Sequence, residues 1–350
     1  MATPNAALIT LVREYRGLTQ GELAKSAGVS QGYVSKVEHE QLVPSDEAIE
    51  KFAGVLDWPA PFFFRTDQVY GFGTACMFHR KQASLPVRTL RSIQARVNVL
   101  RIGLTPLLRE LDPDSSGRVP LMDVDAYVGG PPQIAQLVRA AWKLPLGPVS
   151  NLMETLESHG GIVYRVDFAT RQLDAVSHWS PDIPPLFFVN SEAPPDRVRY
   201  SLAHELGHVV MHAMPTPDME AEANQFASEF LMPEREIKSM LTGLDLARAA
   251  QLKAYWRVSM QALIMRARDL EIISRQKASR MFMQMSSMGY RRVEPVALPV
   301  EEPSALRRLM ERHRQVHGFT VGDLAERVGV PEADFQNHFP SDRAGLRALK

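Results

Sequence analysis

The apolar positions of the first sixty or so residues come in short runs, and the runs open on residues able to cap a helix. Thr19-Gln20-Gly21-Glu22 is a capping box: the threonine hydroxyl can accept the third backbone N–H, and the glutamate can return to the cap. Ser30 and Ser45 stand in the same way before Tyr33 to Val37 and Ala48 to Leu56, with Gly28-Val29 as the tight turn between two helices. Further on, Leu90, Ile93, Val97, Leu100, Leu104, Leu107 and Leu111 alternate three and four apart, drawing one apolar seam along a long linker helix. Gly103 and Pro106 interrupt that seam, which favours packing inside the chain over pairing of two subunits. Arg88, Arg91, Arg96 and Arg101 spread around the helix and read as a solvated surface.

Asp112 to Gly117 reads as a loop, and Gly129-Gly130-Pro131-Pro132 opens the next helix. Gly161 to Val166 and Leu186 to Val189 are short, apolar and bounded by Gly or Pro, so a small sheet is expected there. Beyond it the chain is helical again, with Val258-Ser259 as a turn and cap before Met260 to Leu270. The tail repeats the head: Gly17-Leu18-Thr19-Gln20-Gly21-Glu22-Leu23-Ala24 aligns without a gap with Gly318-Phe319-Thr320-Val321-Gly322-Asp323-Leu324-Ala325, and Gly28-Val29 with Gly329-Val330. Either a second, degenerate helix-turn-helix or a helix pair with the same capping habit would produce this.

Composition narrows the class of protein. An apolar share of 45% with 23% charged residues is that of a globular chain, and 350 residues suffice for two or three domains. Lys+Arg and Asp+Glu are both 40, so no net field steers the whole chain onto nucleic acid or a membrane. The only cysteine is Cys76, which excludes an intramolecular disulfide and a cysteine zinc knuckle. With no membrane-length apolar run and no export signal at the start, a cytoplasmic protein without a membrane partner is expected.

The chemistry concentrates in one place. His204 and His208 are four residues apart, so on a helix their imidazoles project from one face about 6 Å apart along the axis and can grip one ion. Glu205 beside them can take the proton of a metal-bound water, making it the candidate general base. Leu202, Ala203, Leu206, Val209, Val210 and Ala213 make this helix the apolar wall of a buried site. After Met214-Pro215, Thr216 and Pro217 are expected to cap and open a second helix. On that helix Ala223, Phe226, Ala227, Phe230 and Leu231 define an inward arc of about 140°. Glu220 falls inside it and is the expected third ligand, whereas Glu222 falls on the polar side near Glu229 and reads as a solvated carboxylate. Asn224, one turn beyond Glu220, is placed to hydrogen-bond a ligand. His212 lies about 12 Å from His204 along the axis and cannot share the ion. His178, Arg199 and Tyr200 are oxyanion candidates among which spacing does not choose.

Arg197-Val198-Arg199-Tyr200-Ser201-Leu202-Ala203-His204-Glu205-Leu206-Gly207-His208 and Glu220-Ala221-Glu222-Ala223-Asn224-Gln225-Phe226-Ala227, closing on Leu231-Met232-Pro233, resemble the ImmA/IrrE metallopeptidases. That resemblance covers about Leu186 to Pro233 and implies a thermolysin-like Zn2+ site with two His and one Glu. It also implies proteolysis of helix-turn-helix repressors in stress or mobile-element regulation. Asn224 departs from the family pattern, in which Asp is common. Residues 8–64 separately resemble the Xre helix-turn-helix domains, whose helix from Ser30 would enter the major groove. Its outward residues are Gln31, Gly32, Ser35 and Lys36, with Gln20 and Tyr33 placed for phosphate.

The expected fold is therefore α+β and mostly helical. An Xre-like five-helix domain would occupy 1–65, a linker with a long helix 66–118, a thermolysin-like peptidase core with a small sheet 119–240, and a helical region 241–350, HTH-like from 304 on. The expected function is a DNA-binding regulator with zinc endopeptidase activity on a repressor or on itself, working as a homodimer on a double-stranded operator. A non-proteolytic DNA-binding regulator or antitoxin-like protein with a structural or sensory zinc is the competing reading, and a closed fourth position would favour it. Charge favours a third reading, an interaction module without DNA affinity: residues 1–65 hold six basic against eight acidic side chains, a net charge of −2.

Overall fold

The computed structural model describes residues 3–71, 85–109, 119–180 and 183–339. Cys76, Leu111 and the loop from Asp112 to Gly117 lie outside them. The head folds as α1 (Ala6–Tyr15), α2 (Gln20–Ala27), α3 (Gln31–Glu38) and α4 (Asp46–Leu56). Both halves of the Thr19/Glu22 capping box form, the Ser30 and Ser45 side chains accept from the N–H groups of Tyr33 and Ala48, and Gly28 is left-handed at φ 69°. The fifth helix is short and of the 3-10 type. Pro59 and Pro61 cannot donate backbone hydrogen bonds, and Ala60–Phe64 closes the domain as a 3-10 turn.

The long seam becomes α5 (Val87–Leu108), and it is a central element rather than a spacer. Ile93, Val97, Leu100, Leu104 and Leu107 are fully or almost fully buried inside the chain, which removes this seam as a surface for pairing subunits. The two interruptions have uses. A Cβ on Gly103 would lie 2.5 Å from Val328 Cγ1, so the glycine admits a tail helix against α5. Pro106 has no N–H to give the carbonyl four residues back, and Arg65 Nη2 donates to that Ile102 oxygen at 3.2 Å. Arg101 corrects the solvated reading of the arginines: it is buried, with its guanidinium 4.8 Å over the Tyr70 ring.

Three strands follow, β1 (Ile162–Val166), β2 (Ala175–Ser180) and β3 (Ile183–Asn190), in the order β1-β3-β2. β1 runs parallel and β2 antiparallel to β3. The apolar pattern does not announce β2, because Ser177 and His178 interrupt it, and both are buried. Alternation divides the sheet's faces between two cores. Tyr164, Val176, Leu186 and Phe188 pack into the core of α5 and the head, and Val163, Ala175, Phe187 and Val189 into a second core.

That second core holds α6 (Gly130–Ala141), α7 (Leu152–Ser158), α8 (Pro195–Met211), α9 (Met219–Leu231) and α10 (Glu234–Ile237). It continues without a break past residue 240 into α11 (Leu246–Trp256), α12 (Met260–Asp269) and α13 (Arg275–Ser287). The tail, α14 (Ala305–His317), α15 (Val321–Val328) and α16 (Glu332–His338), returns to the first core.

The tail repeat is structural. Thr320 and Asp323 form the second capping box, and Gly318 and Gly329 take the left-handed conformation of Gly17 and Gly28. The tail copy docks on the head through Arg16 to Asp334 at 2.8 Å, Tyr15 Oη to His338 Nε2 at 2.5 Å, and Arg65 Nη1 donating to Val328 O at 3.1 Å. At the places of Gln31, Gly32, Ser35 and Lys36 it carries Glu332, Ala333, Gln336 and Asn337, with no cation among them. Among the described residues no helix is long and apolar enough to cross a membrane.

Candidate metal centre

α8 supplies two of the three donors and α9 the third. The helices lie close because Gly207 faces α9: a Cβ there would sit 3.1 Å from Phe226 Cδ1 and 3.3 Å from Ala223 Cα. That approach brings Glu220, in the first turn of α9, to both histidines. His204 Nε2 lies 3.0 Å from His208 Nε2, and the Glu220 carboxylate oxygens lie 3.6 and 3.5 Å from the two nitrogens. Zinc bonds of about 2.0–2.1 Å at tetrahedral angles would set donor atoms about 3.3–3.4 Å apart, so the spacing fits such an ion. Among the described residues His204, His208 and Glu220 are the one group of three or more His, Cys, Asp or Glu that could hold a metal.

Each imidazole is held from its far side. Asn224 Oδ1 stands 3.2 Å from His204 Nδ1, while Asn224 Nδ2 donates to Glu220 O at 2.7 Å. His208 Nδ1 meets His212 Nδ1 at 3.0 Å, and His212 Nε2 meets Glu222 Oε2 at 3.0 Å. Burial is the main cause holding the His212 pKa below that of an ordinary histidine, with His208 next. Glu222 is thus no solvated carboxylate. Nor is its neighbour on the helical wheel, Glu229, which is buried against Arg266. Thr216 does not cap α9 either: the helix starts at Met219, and Asp218 at its N-cap makes no side-chain cap bond.

Glu205 is 1% exposed, and its Oε2 accepts from Ser177 N at 2.9 Å and Ser177 Oγ at 2.6 Å. Two bonds to one oxygen fix the carboxylate's rotamer. Sequence reasoning missed Ser177 because it missed β2. Its signal was a small polar residue inside an otherwise apolar stretch before the metal helix.

Comparison with known families agrees with this geometry. Residues 156–268 match the peptidase family model described as the IrrE N-terminal-like domain. The chain carries an IrrE-like metallopeptidase domain. The match runs from α7 to the end of α12 and so includes the sheet, both metal-site helices and part of the region past residue 240. Residues 9–62 match a helix-turn-helix model, so the head is a helix-turn-helix DNA-binding domain. No curated protein matches the chain.

Within the IrrE-like domain the three oxyanion candidates serve packing. His178 is on the opposite sheet face from Ser177, 5.1 Å from the Tyr70 ring. Arg199 donates to Arg257 O and Val149 O and pairs with Glu301; burial pushes its pKa down to about 10. Tyr200 Oη bonds Ser228 Oγ at 3.0 Å and Asn224 O at 3.3 Å, and burial raises its pKa. A cavity of about 1350 Å³ between α8, α9 and α12 reaches Asn224 and Tyr200 but not the three donors or Glu205.

In the helix-turn-helix domain, Gln31, Gly32 and Lys36 are exposed and Ser35 and Tyr33 half-buried. Gln20 Nε2 donates to Glu38 Oε2 at 2.7 Å, so contact with a phosphate would require exchanging that bond. Arg13 and Arg16 are tied to Glu38 and Asp334, leaving Lys25 and Lys36 as the exposed cations on α2 and α3.

Proposed function

We propose that this chain is a DNA-binding transcription regulator with zinc-dependent endopeptidase activity toward a helix-turn-helix repressor. The observation that carries the reading is Glu205: a buried carboxylate next to a three-donor cluster of tetrahedral spacing, oriented by Ser177 on β2. A purely structural zinc would have no use for such a group. His204, His208 and Glu220 would hold the ion, which when bound lowers the pKa of a water and polarises a carbonyl. Glu205 accepts the proton of the attacking water and returns it to the leaving amine.

A substrate strand has no free edge to join at Leu186 to Asn190. β3 is the central strand, with its backbone groups paired on both sides. Strand addition belongs instead to β2, the edge on the Ser177 side among the described residues. An extended peptide there would bring its scissile bond toward Glu205. The test is incubation with a helix-turn-helix repressor encoded beside this protein: cleavage that stops on chelation and returns with zinc is expected, and cleavage that persists in chelator would refute the metal mechanism.

The same proposal has the head bind an operator duplex through Gln31, Gly32, Ser35 and Lys36, with Gln20 and Tyr33 at the backbone. A homodimer would double these few contacts, using a surface other than the buried α5 seam. Lys36→Ala is expected to weaken binding and reduce its salt dependence by about one charge, while Gln31→Ala alters base preference. Gel shifts at two salt concentrations measure both; no retardation of any promoter fragment at low salt would make the head an interaction module.

A further inference from the structure

We propose that Glu222, acting through His212, is a positioning residue that sets the tautomer and orientation of His208. The proposal rests on the reading of His204, His208 and Glu220 as a metal centre. For His208 to turn the lone pair of Nε2 toward the other two donors, its ring must be neutral with the hydrogen on Nδ1. That Nδ1 is 3.0 Å from His212 Nδ1, and two nitrogens at this distance share one hydrogen. His212 must therefore be the acceptor and carry its own hydrogen on Nε2, which faces Glu222 Oε2 at 3.0 Å. One carboxylate on α9 thus determines the tautomers of two imidazoles, His208 in the last turn of α8 and His212 at its C-cap.

Burial of the two rings favours the relay. His208 is 1% and His212 4% exposed, so water cannot readily replace a lost partner. Without an acceptor at Glu222, the alternative tautomer of His212 would place N–H against N–H, and His208 would have to rotate or surrender its hydrogen from Nδ1. His204 is held differently, by the neutral amide oxygen of Asn224 at 3.2 Å. The charged end of the relay therefore makes His208 the more electron-rich of the two imidazoles. His212 Nε2 and Glu222 also link the end of α8 to α9, so the device fixes the helices as well as the ring.

The test measures metal affinity of the full chain rather than cleavage. Metal is stripped by chelation, and zinc is titrated against a chromophoric competitor for wild type, Glu222→Gln, Glu222→Met and His212→Phe. Gln keeps an oxygen that can accept from His212, whereas Met has about the same volume and only a weakly accepting thioether sulfur. Glu222→Met and His212→Phe are expected to lose about 10–100-fold in zinc affinity, with Glu222→Gln staying within about threefold of wild type. Combining Glu222→Met with His212→Phe should add nothing to His212→Phe alone, because both cut one chain of bonds. Equal affinities for the Gln and Met variants, or losses that add in the double variant, would overturn the relay while leaving the metal centre standing. A wild-type chain that takes up no zinc would overturn the centre itself and the relay with it.

Discussion

Glu205→Gln should retain the fold and the metal and lose about 10²–10⁴-fold in cleavage rate. The substitution conserves volume, and the amide oxygen can still accept from Ser177 N and Oγ, which hold the side chain at 2.9 and 2.6 Å. What the amide cannot do at neutral pH is accept and return a proton. None of the three proposed metal donors is touched, so zinc content by elemental analysis should equal that of wild type. Wild type and variant are incubated with the repressor and fragments are read by mass spectrometry over time. Equal rates would remove Glu205 from the mechanism, and loss of zinc in the variant would assign it a structural part instead.

Glu229→Ala should destabilise the IrrE-like domain by about 3–5 kcal/mol, because it strands the Arg266 guanidinium in the second core. Glu229 is 2% and Arg266 6% exposed, and besides the ion pair Glu229 accepts from Gln136 Nε2 at 2.8 Å and from Glu234 N at 3.2 Å. Arg266 Nε donates to Met232 O at 3.1 Å, which holds it in place but supplies no counter-charge. Denaturant unfolding of the whole chain, followed separately by tryptophan fluorescence and by zinc release, should show the loss in the transition that includes the second core. Replacing both residues by Met should recover much of it, since well-packed apolar side chains often equal a buried ion pair. A loss below about 1 kcal/mol would mean that the pair is solvated, as an exposed bridge would be.

Glu229 also shows where a helical wheel stops being informative. Periodicity alone sets Glu222 and Glu229 together on the polar side of α9, away from the apolar arc, and solvent is the simplest occupant of a polar side. In the fold that side meets His212 at the end of α8, on the preceding helix, and Arg266 on α12, distant in sequence. A polar stripe records only that its partners are polar. Whether they are water or side chains depends on which helices pack there.

Features governed by neighbours within about one helical turn were readable along the chain. The capping boxes at Thr19 and Thr320, the left-handed glycines at 28 and 329 and the four-residue spacing of His204 and His208 are of this kind, since backbone geometry places such groups whatever surrounds them. Glu220 was readable too, one step less directly, because its helix had an apolar face to orient it. Contacts between segments far apart were not. The strand β2 and its Ser177, the sheet order that makes β3 central, the burial of α5 beneath both head and tail, and the Glu222–His212–His208 relay each depend on which segment lies beside which. Burial removes water as the default partner of a polar group, so only the packed structure decides which side chain takes its place.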